Sequence, residues 1–177
     1  KKKVLVICNT VKSAQKLYQV LESKTEKSWL LHSCFLRKDR RKLEEKIHTF
    51  SDTAGESGIW ITTQIVEASL DIDFDVLHTE MCSADSLLQR LGRCNRKGKM
   101  YPDEVNCMIY NNRNGVYKGK GKGVYEQSLY DSSLNALKKY EGMIFTEAMK
   151  RDYINKVYAV EAMKTTEYYK KIEASLQ

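Results

Sequence analysis

Five short apolar runs, separated by stretches of helical spacing, constrain this chain more than any other feature. The runs are Val4 to Asn9, Trp29 to His32, Ile59 to Thr62, Asp75 to Thr79 and Val105 to Tyr110. A continuous apolar run of this length fits a strand buried on both faces. After the polar pair Asn9-Thr10, residues Ala14, Leu17, Tyr18 and Leu21 recur at helical spacing. Leu43, Ile47 and Phe50 mark one face of a charged helix from about Asp39, and Ser86 to about Cys94 reads as a short helix. Strands alternating with helices predict an α/β fold: an open, mostly parallel sheet with helices on both faces. Pro102, the only proline, marks the turn before the fifth strand.

From Asn111 to Gly123 the sequence is rich in Gly, Lys and Asn, which predicts a mobile loop. Helical stretches follow at about Val124 to Tyr140 and Thr146 to Ser175. The expected organisation is one α/β domain over residues 1–110, a flexible loop over 111–123 and a helical extension over 124–177. The chain begins without Met and enters its first strand almost at once, so it is expected to be a piece of something longer.

Size and composition narrow the class further. A chain of 177 residues buries roughly 70% of the surface its unfolded form exposes, so it needs no covalent or metal staple. The five cysteines are odd in number and far apart, with no C-x-x-C pair, which predicts reduced thiols in a cytoplasmic protein. No apolar run approaches the roughly 20 residues that span a bilayer, and no signal segment is visible, so no membrane partner is expected. The net charge of +7 favours a polyanionic partner through counterion release, or is simply a soluble basic surface.

The informative stretch is Gln89-Arg90-Leu91-Gly92-Arg93-Cys94-Asn95-Arg96, of the form Q-R-x-G-R-x-x-R. On a helix Arg93 and Arg96, three apart, share a face. Two guanidinium forks pointing the same way can hold a dispersed anionic charge such as a transferring phosphoryl group. Gly92 leaves room for close approach of a ligand or backbone. The competing reading is a basic helix that grips nucleic-acid phosphates. Some twenty residues earlier stand Thr62, Thr63 and Gln64, at the end of a predicted strand, where ligands of open α/β sheets bind. They could donate to phosphate or sugar oxygens. The alternation Asp71, Asp73, Asp75 is not a calcium loop, because the sixth position is Val76 and the twelfth Cys82.

These residues resemble superfamily 2 helicases. Thr62 to Asp71 looks like their motif V, Gln89 to Arg96 like motif VI, and Val4 to Leu21 like motif IV. Thr63 to Asp75, Asp85 to Gly98 and the stretch Leu31 to Arg41 are most similar to the CRISPR-associated helicase–nuclease of type I systems. The resemblance implies the second RecA-like domain of such a motor. Arg93 and Arg96 would reach the γ-phosphate of ATP, with Arg96 the better finger candidate. Gln89 would contact the nucleotide or the partner domain's acidic motif, and Asp71 would sit near the ribose and, with Arg90, help couple the two motifs. Thr62, Thr63 and Gln64 would touch the DNA backbone or relay its presence to the ATP site, and Asn9 and Thr10 of the motif IV junction would contact nucleic acid. It implies as partners the preceding RecA-like domain, single-stranded DNA and an RNA-guided surveillance complex.

A working motor also needs a P-loop and an acidic motif for Mg2+. Gly115 to Lys122 has five residues between Gly115 and Gly121 and Gly123 in place of Ser or Thr, so it reads as linker. Asp103-Glu104 precedes its strand, where an acidic motif should end one, and none of the three histidines is followed by Asp, so no nuclease His-Asp pair is present. ATP and Mg2+ would therefore be held mainly by the preceding domain, and this piece alone is expected to be inactive. Two alternatives stay open: a stand-alone basic nucleic-acid-binding module, and a general superfamily 2 RNA or DNA helicase domain.

Overall fold

The computed structural model describes residues 2–68, 70–98, 104–119, 121–164 and 166–175. By internal contacts the chain divides into two units, Lys1–Glu80 with Gln89–Asn114, and Met81–Leu88 with Gly115–Gln177.

The first unit holds β1 (Lys3–Ile7), α1 (Val11–Glu22), β2 (Ser28–Leu31), α2 (Arg37–Asp52), β3 (Gly58–Thr62), α3 (Ile65–Ala68), β4 (Val76–Glu80) and β5 (Cys107–Tyr110). The last part of α4 (Ala84–Leu91) also falls within it. The five strands lie in the order β2-β3-β1-β4-β5, all parallel. The fold class is the α/β open sheet that the apolar runs predict. Strand boundaries shift slightly: the fifth strand starts at Cys107 rather than Val105, and α4 runs from Ala84 and stops at Leu91. Pro102 and Asp103 lie outside the described residues.

Register explains the core. Trp29, Trp60, Leu5, Leu77 and Cys107 are successive cross-strand partners, so their side chains share one face. Trp29 stacks on Trp60 with centroids 5.4 Å apart, and Phe50 of α2 sits 5.2 Å from Trp29. Ile47, Val66, Ile72 and Phe74 complete this buried cluster. The opposite face presents Ile61 and Cys8, on which α1 lays Ala14, Leu17, Tyr18 and Leu21. Thr10 starts that helix by accepting the Ser13 N–H at 3.1 Å. Gly58 is required where β3 passes Trp29: a Cβ there would lie 2.7 Å from the indole and 2.8 Å from the Lys27 carbonyl.

The second unit contains β6 (Val116–Tyr117), β7 (Tyr125–Glu126), α5 (Gln127–Leu137), a 3-10 turn (Lys138–Tyr140), α6 (Glu147–Val157), α7 (Val160–Met163) and α8 (Glu167–Ser175). The stretch expected as a flexible loop over 111–123 includes β6, which pairs with β7, and the Gly115 carbonyl accepts the N–H groups of Val124 and Tyr125. Within this unit Tyr140, Phe145 and Tyr153 form an aromatic cluster. Ser133 of α5 accepts the Ala84 N–H at 3.0 Å. Among the described residues no helix is long and apolar enough to cross a membrane.

Candidate functional site

Parallel strands in register bring their carboxyl ends to one edge of the sheet, where ligands of such folds bind. Asn9 follows β1, Thr63 and Gln64 follow β3, and Glu80 ends β4. One arginine organises these ends. Arg90 is fully buried, and its Nε donates to Glu67 Oε1 at 2.8 Å. Its Nη1 donates to Asn9 Oδ1 at 3.0 Å, Thr79 Oγ1 at 2.9 Å and the Glu80 carbonyl at 3.0 Å. A guanidinium fork meets that many acceptors, where an ammonium offers only a point charge.

The Glu80 carboxylate gathers the next layer. It accepts the Asn9 backbone N–H at 2.5 Å, and its other oxygen accepts Asn112 Nδ2 at 2.7 Å and Asn114 Nδ2 at 2.6 Å. Gln64 Nε2 donates to the Asn9 carbonyl at 2.7 Å. Thr62 and Thr63 are buried, and the Thr62 hydroxyl donates to the Thr63 carbonyl at 3.3 Å. Asn9, Thr62 and Thr63 are thus covered within the unit, with the Asn9 and Thr62 side chains hydrogen-bonded there. Thr10 serves as the cap of α1, and Gln64 is half-buried.

Arg93 and Arg96 do not lie on a helix, contrary to the sequence reading. The helix stops at Leu91, and the chain bridges back to the strand side: Phe74 N–H donates to the Arg93 carbonyl at 3.0 Å, and Asn95 N–H to the Phe74 carbonyl at 2.9 Å. Asn95 adopts φ +47°, a left-handed turn that Asn tolerates better than most residues. Asp73 then fixes the loop, accepting the Arg96 N–H at 2.7 Å and the Lys97 N–H at 3.3 Å. Burial, and next the positive charge of Arg96, lower the Arg93 pKa from its ordinary value. The Arg93 Nη2 donates to the Glu67 carbonyl at 2.5 Å, while its buried Nε has no hydrogen-bond partner. Arg96 stands in solvent with Nη1 2.8 Å from Asp71 Oδ1.

Asp71 and Arg90 each tie one stretch to the other, through different partners. Asp71 belongs to Arg96, and Arg90 belongs to Glu67. With no exposed surface, Arg90 offers nothing for a nucleotide to touch, so it is a buried tie rather than a ligand-contacting group. Gln89 is exposed at the end of α4. Ser69, at the loop before Asp71, lies outside the described residues, as does Lys120 of the glycine-rich segment. Glu67, Glu80, Asn112 and Asn114 were not singled out by sequence; an acid flanked by Val66 and Ala68 was the only sign of Glu67. A concavity of about 360 Å³ lined by Val4, Val6, Leu17, Leu21, His78 and Tyr110 opens on the α1 face and includes none of the arginines. The chemistry on offer here is anion binding by two guanidinium groups, one of them with an unspent donor.

A family model for the C-terminal part of the CRISPR-associated nuclease/helicase Cas3 matches residues 1–99. The CRISPR-associated nuclease/helicase Cas3 of Methanothermobacter thermautotrophicus is 31% identical over 163 residues, covering 90% of this chain and 19% of that protein. The chain thus spans about a fifth of the length of this curated relative. The crystal structure of T. fusca Cas3 with ATP superposes with a TM-score of 0.74 at 22% identity, over 98% of this chain and 22% of that one. A chain in a structure described as a CRISPR RNA-guided surveillance complex, pre-nicking, gives a TM-score of 0.70 at 21% identity, over 98% of this chain and 23% of that one. The chain belongs to the Cas3 nuclease/helicase family, as its C-terminal helicase portion with a RecA-like fold.

Proposed function

We propose that this chain is the half of an ATP-driven DNA motor that supplies arginine fingers to a nucleotide held by the preceding RecA-like domain. The observation that carries the reading is the Arg93–Arg96 pair: like charges near enough to depress the Arg93 pKa, beside a buried Nε with no partner. An anion placed between them would relieve the crowding of like charge. The residues present therefore fit a phosphate tail, and Mg2+ is assigned to the other domain.

ATP, when bound, supplies the phosphoryl group whose hydrolysis drives movement. Arg96, on a solvent-exposed loop, turns from Asp71 toward the γ-phosphate and neutralises charge that develops there. Arg93, anchored on the Glu67 carbonyl, adds a fixed positive charge behind it. Gln89 and Asp71, both exposed, contact the nucleotide at its edges. DNA is sensed at Thr62, Thr63 and Gln64; the threonine side chains are buried and Gln64 is bonded to Asn9, so backbone groups make the contact. Any change there passes to Arg90 through Asn9. In the complete protein this motor would unwind and help degrade foreign DNA as part of type I CRISPR defence, recruited by an RNA-guided surveillance complex.

The test is DNA-stimulated ATP hydrolysis by the complete protein and its Arg96→Ala variant. A finger is worth about 10³–10⁵ in turnover in nucleotide hydrolases, so a large fall is expected. Wild-type turnover by the variant would overturn the assignment.

A further inference from the structure

We propose that Glu67 is the positioning residue of the arginine site, setting where Arg93 stands while touching no substrate. The inference rests on the arginine-finger reading for its consequence in turnover, while the contacts around Glu67 are independent of it. Glu67 holds two of the three arginines of the motif, Arg90 and Arg93, at once. Its carboxylate binds Arg90 Nε at 2.8 Å, and its own backbone carbonyl receives Arg93 Nη2 at 2.5 Å.

Each of those bonds has a different consequence. The carboxylate bond is a buried ion pair, with the Arg90 side chain wholly covered and that of Glu67 only 11% exposed. Arg90 is in turn bonded to Asn9, Thr79 and Glu80, so Glu67 is tied through it to the ends of β1 and β4. α3 is only four residues long and cannot hold its own orientation as an isolated helix. The Arg90 pair therefore fixes α3, and α3 fixes the carbonyl on which Arg93 rests. Arg90 and Arg93 are also joined along the chain, since the Arg93 N–H donates to the Arg90 carbonyl at 2.9 Å. The result is a closed loop of contacts: Glu67 carboxylate, Arg90, Arg93, Glu67 carbonyl. Removing the carboxylate opens it, and the Arg93 guanidinium loses its fixed seat without losing its charge. A displacement of about 1 Å in a positioned group can cost a factor of about 100 in rate.

The experiment uses the complete protein carrying this chain. Glu67→Gln, Glu67→Asp, Arg93→Ala and the double variant Glu67→Gln/Arg93→Ala are compared for ATP turnover with DNA present, and for amide exchange across residues 92–96. Because Glu67→Gln leaves a buried cation without its partner, Glu67→Leu/Arg90→Met is made as well, replacing both charges with apolar groups that restore packing. Expected for Glu67→Gln are a kcat at least ten-fold lower, a KM for ATP within two-fold of wild type, and faster exchange across 92–96. The apolar pair should fold and show the same kcat loss. The double variant should be no slower than Arg93→Ala alone, and Glu67→Asp should recover part of the loss. Multiplicative losses in the double variant, or wild-type kcat in a folded Glu67→Leu/Arg90→Met protein, overturn the proposal. If Arg93→Ala itself keeps full turnover, the finger reading fails for Arg93; faster exchange in Glu67→Gln would then uphold the positioning role alone, and unchanged exchange would end it.

Discussion

The Asp71 carboxylate meets the Arg96 guanidinium at 2.8 Å in open solvent, with side chains 72% and 44% exposed. A pair this wet orients a side chain without adding much stability. The loop beneath is held instead through its backbone, by Asp73 accepting the N–H groups of Arg96 and Lys97. Asp71→Asn is therefore expected to change the unfolding free energy by less than about 1 kcal/mol. Asp73→Ala removes two charge-assisted acceptors and should cost about 1–3 kcal/mol. Urea denaturation of the two variants checks this, and a larger loss for Asp71→Asn than for Asp73→Ala would contradict it.

Arg90 and Arg96 should separate cleanly under mutation although they sit six positions apart in one motif. Arg90 is fully buried and its loss strands the Glu67 carboxylate, so Arg90→Ala should cost about 3–5 kcal/mol. Arg90→Lys should also be markedly destabilising, since one ammonium cannot reach Glu67, Asn9, Thr79 and the Glu80 carbonyl together. Arg96→Ala, on the surface, should stay within about 0.5 kcal/mol of wild type. Equilibrium denaturation midpoints with unchanged m-values would report this contrast, and equal losses at the two positions would refute it.

Much of this was legible in sequence, and the exceptions have physical causes. The strands could be read because a parallel sheet covered on both faces leaves an apolar signature in every strand, as in Val4 to Cys8 and Ile59 to Ile61. Arg93 and Arg96 could be singled out by type and spacing, but the helix placed under them could not hold. The bridge from Phe74 to Cys94 and the left-handed Asn95 are set by a partner strand some twenty residues away, to which helical periodicity is blind. Glu67 and Glu80 escaped notice because their meaning lies in long-range partners, Arg90 and the asparagines after β5. Likewise no local signal assigns Met81–Leu88 to the unit that holds the C-terminal helices. Ser133 receives the Ala84 N–H from almost fifty positions away.

Trp60 offers a test of core packing against polar satisfaction. Its side chain is fully buried in the aromatic cluster, yet its Nε1 has no hydrogen-bond partner. Trp60→Ala should cost about 3–5 kcal/mol through lost burial and a cavity under Trp29 and Phe50. Trp60→Phe keeps an aromatic ring and removes the unpaired donor, so part of its packing loss is offset by the desolvation no longer required, about 1–3 kcal/mol. The expected order in thermal melting is wild type, then Trp60→Phe close behind, then Trp60→Ala far below. A Phe variant as damaged as the Ala variant would show that the indole is held by something stronger than packing.

Stability should be flat near neutral pH and fall on both sides, for different groups. Burial lowers the pKa of His32 and of His78 from 6.5, so the fold prefers both rings neutral. Their contribution is complete above about pH 6.5 and is lost as pH drops through the lowered values, because the unfolded chain takes up those protons first. On the alkaline side, burial first, then the Glu80 carboxylate, raise the Cys8 thiol from 9.0 to about 12. Stability tied to the protonated thiol is complete below about pH 9 and is lost between there and about pH 12, as the unfolded state ionises first. Tyr153 and Tyr158, both raised by burial, add to the loss above pH 10. Each such group contributes a slope of up to about 1.4 kcal/mol per pH unit within its window. Urea midpoints measured from pH 5 to 11 should trace a plateau with falling flanks, and Cys8→Ala should soften the alkaline flank. In the same native samples a thiol reagent should modify exposed Cys34 promptly and buried Cys8 slowly. Rapid modification of Cys8 at neutral pH, or an unchanged alkaline flank in Cys8→Ala, would mean that the thiol is not held protonated by its burial.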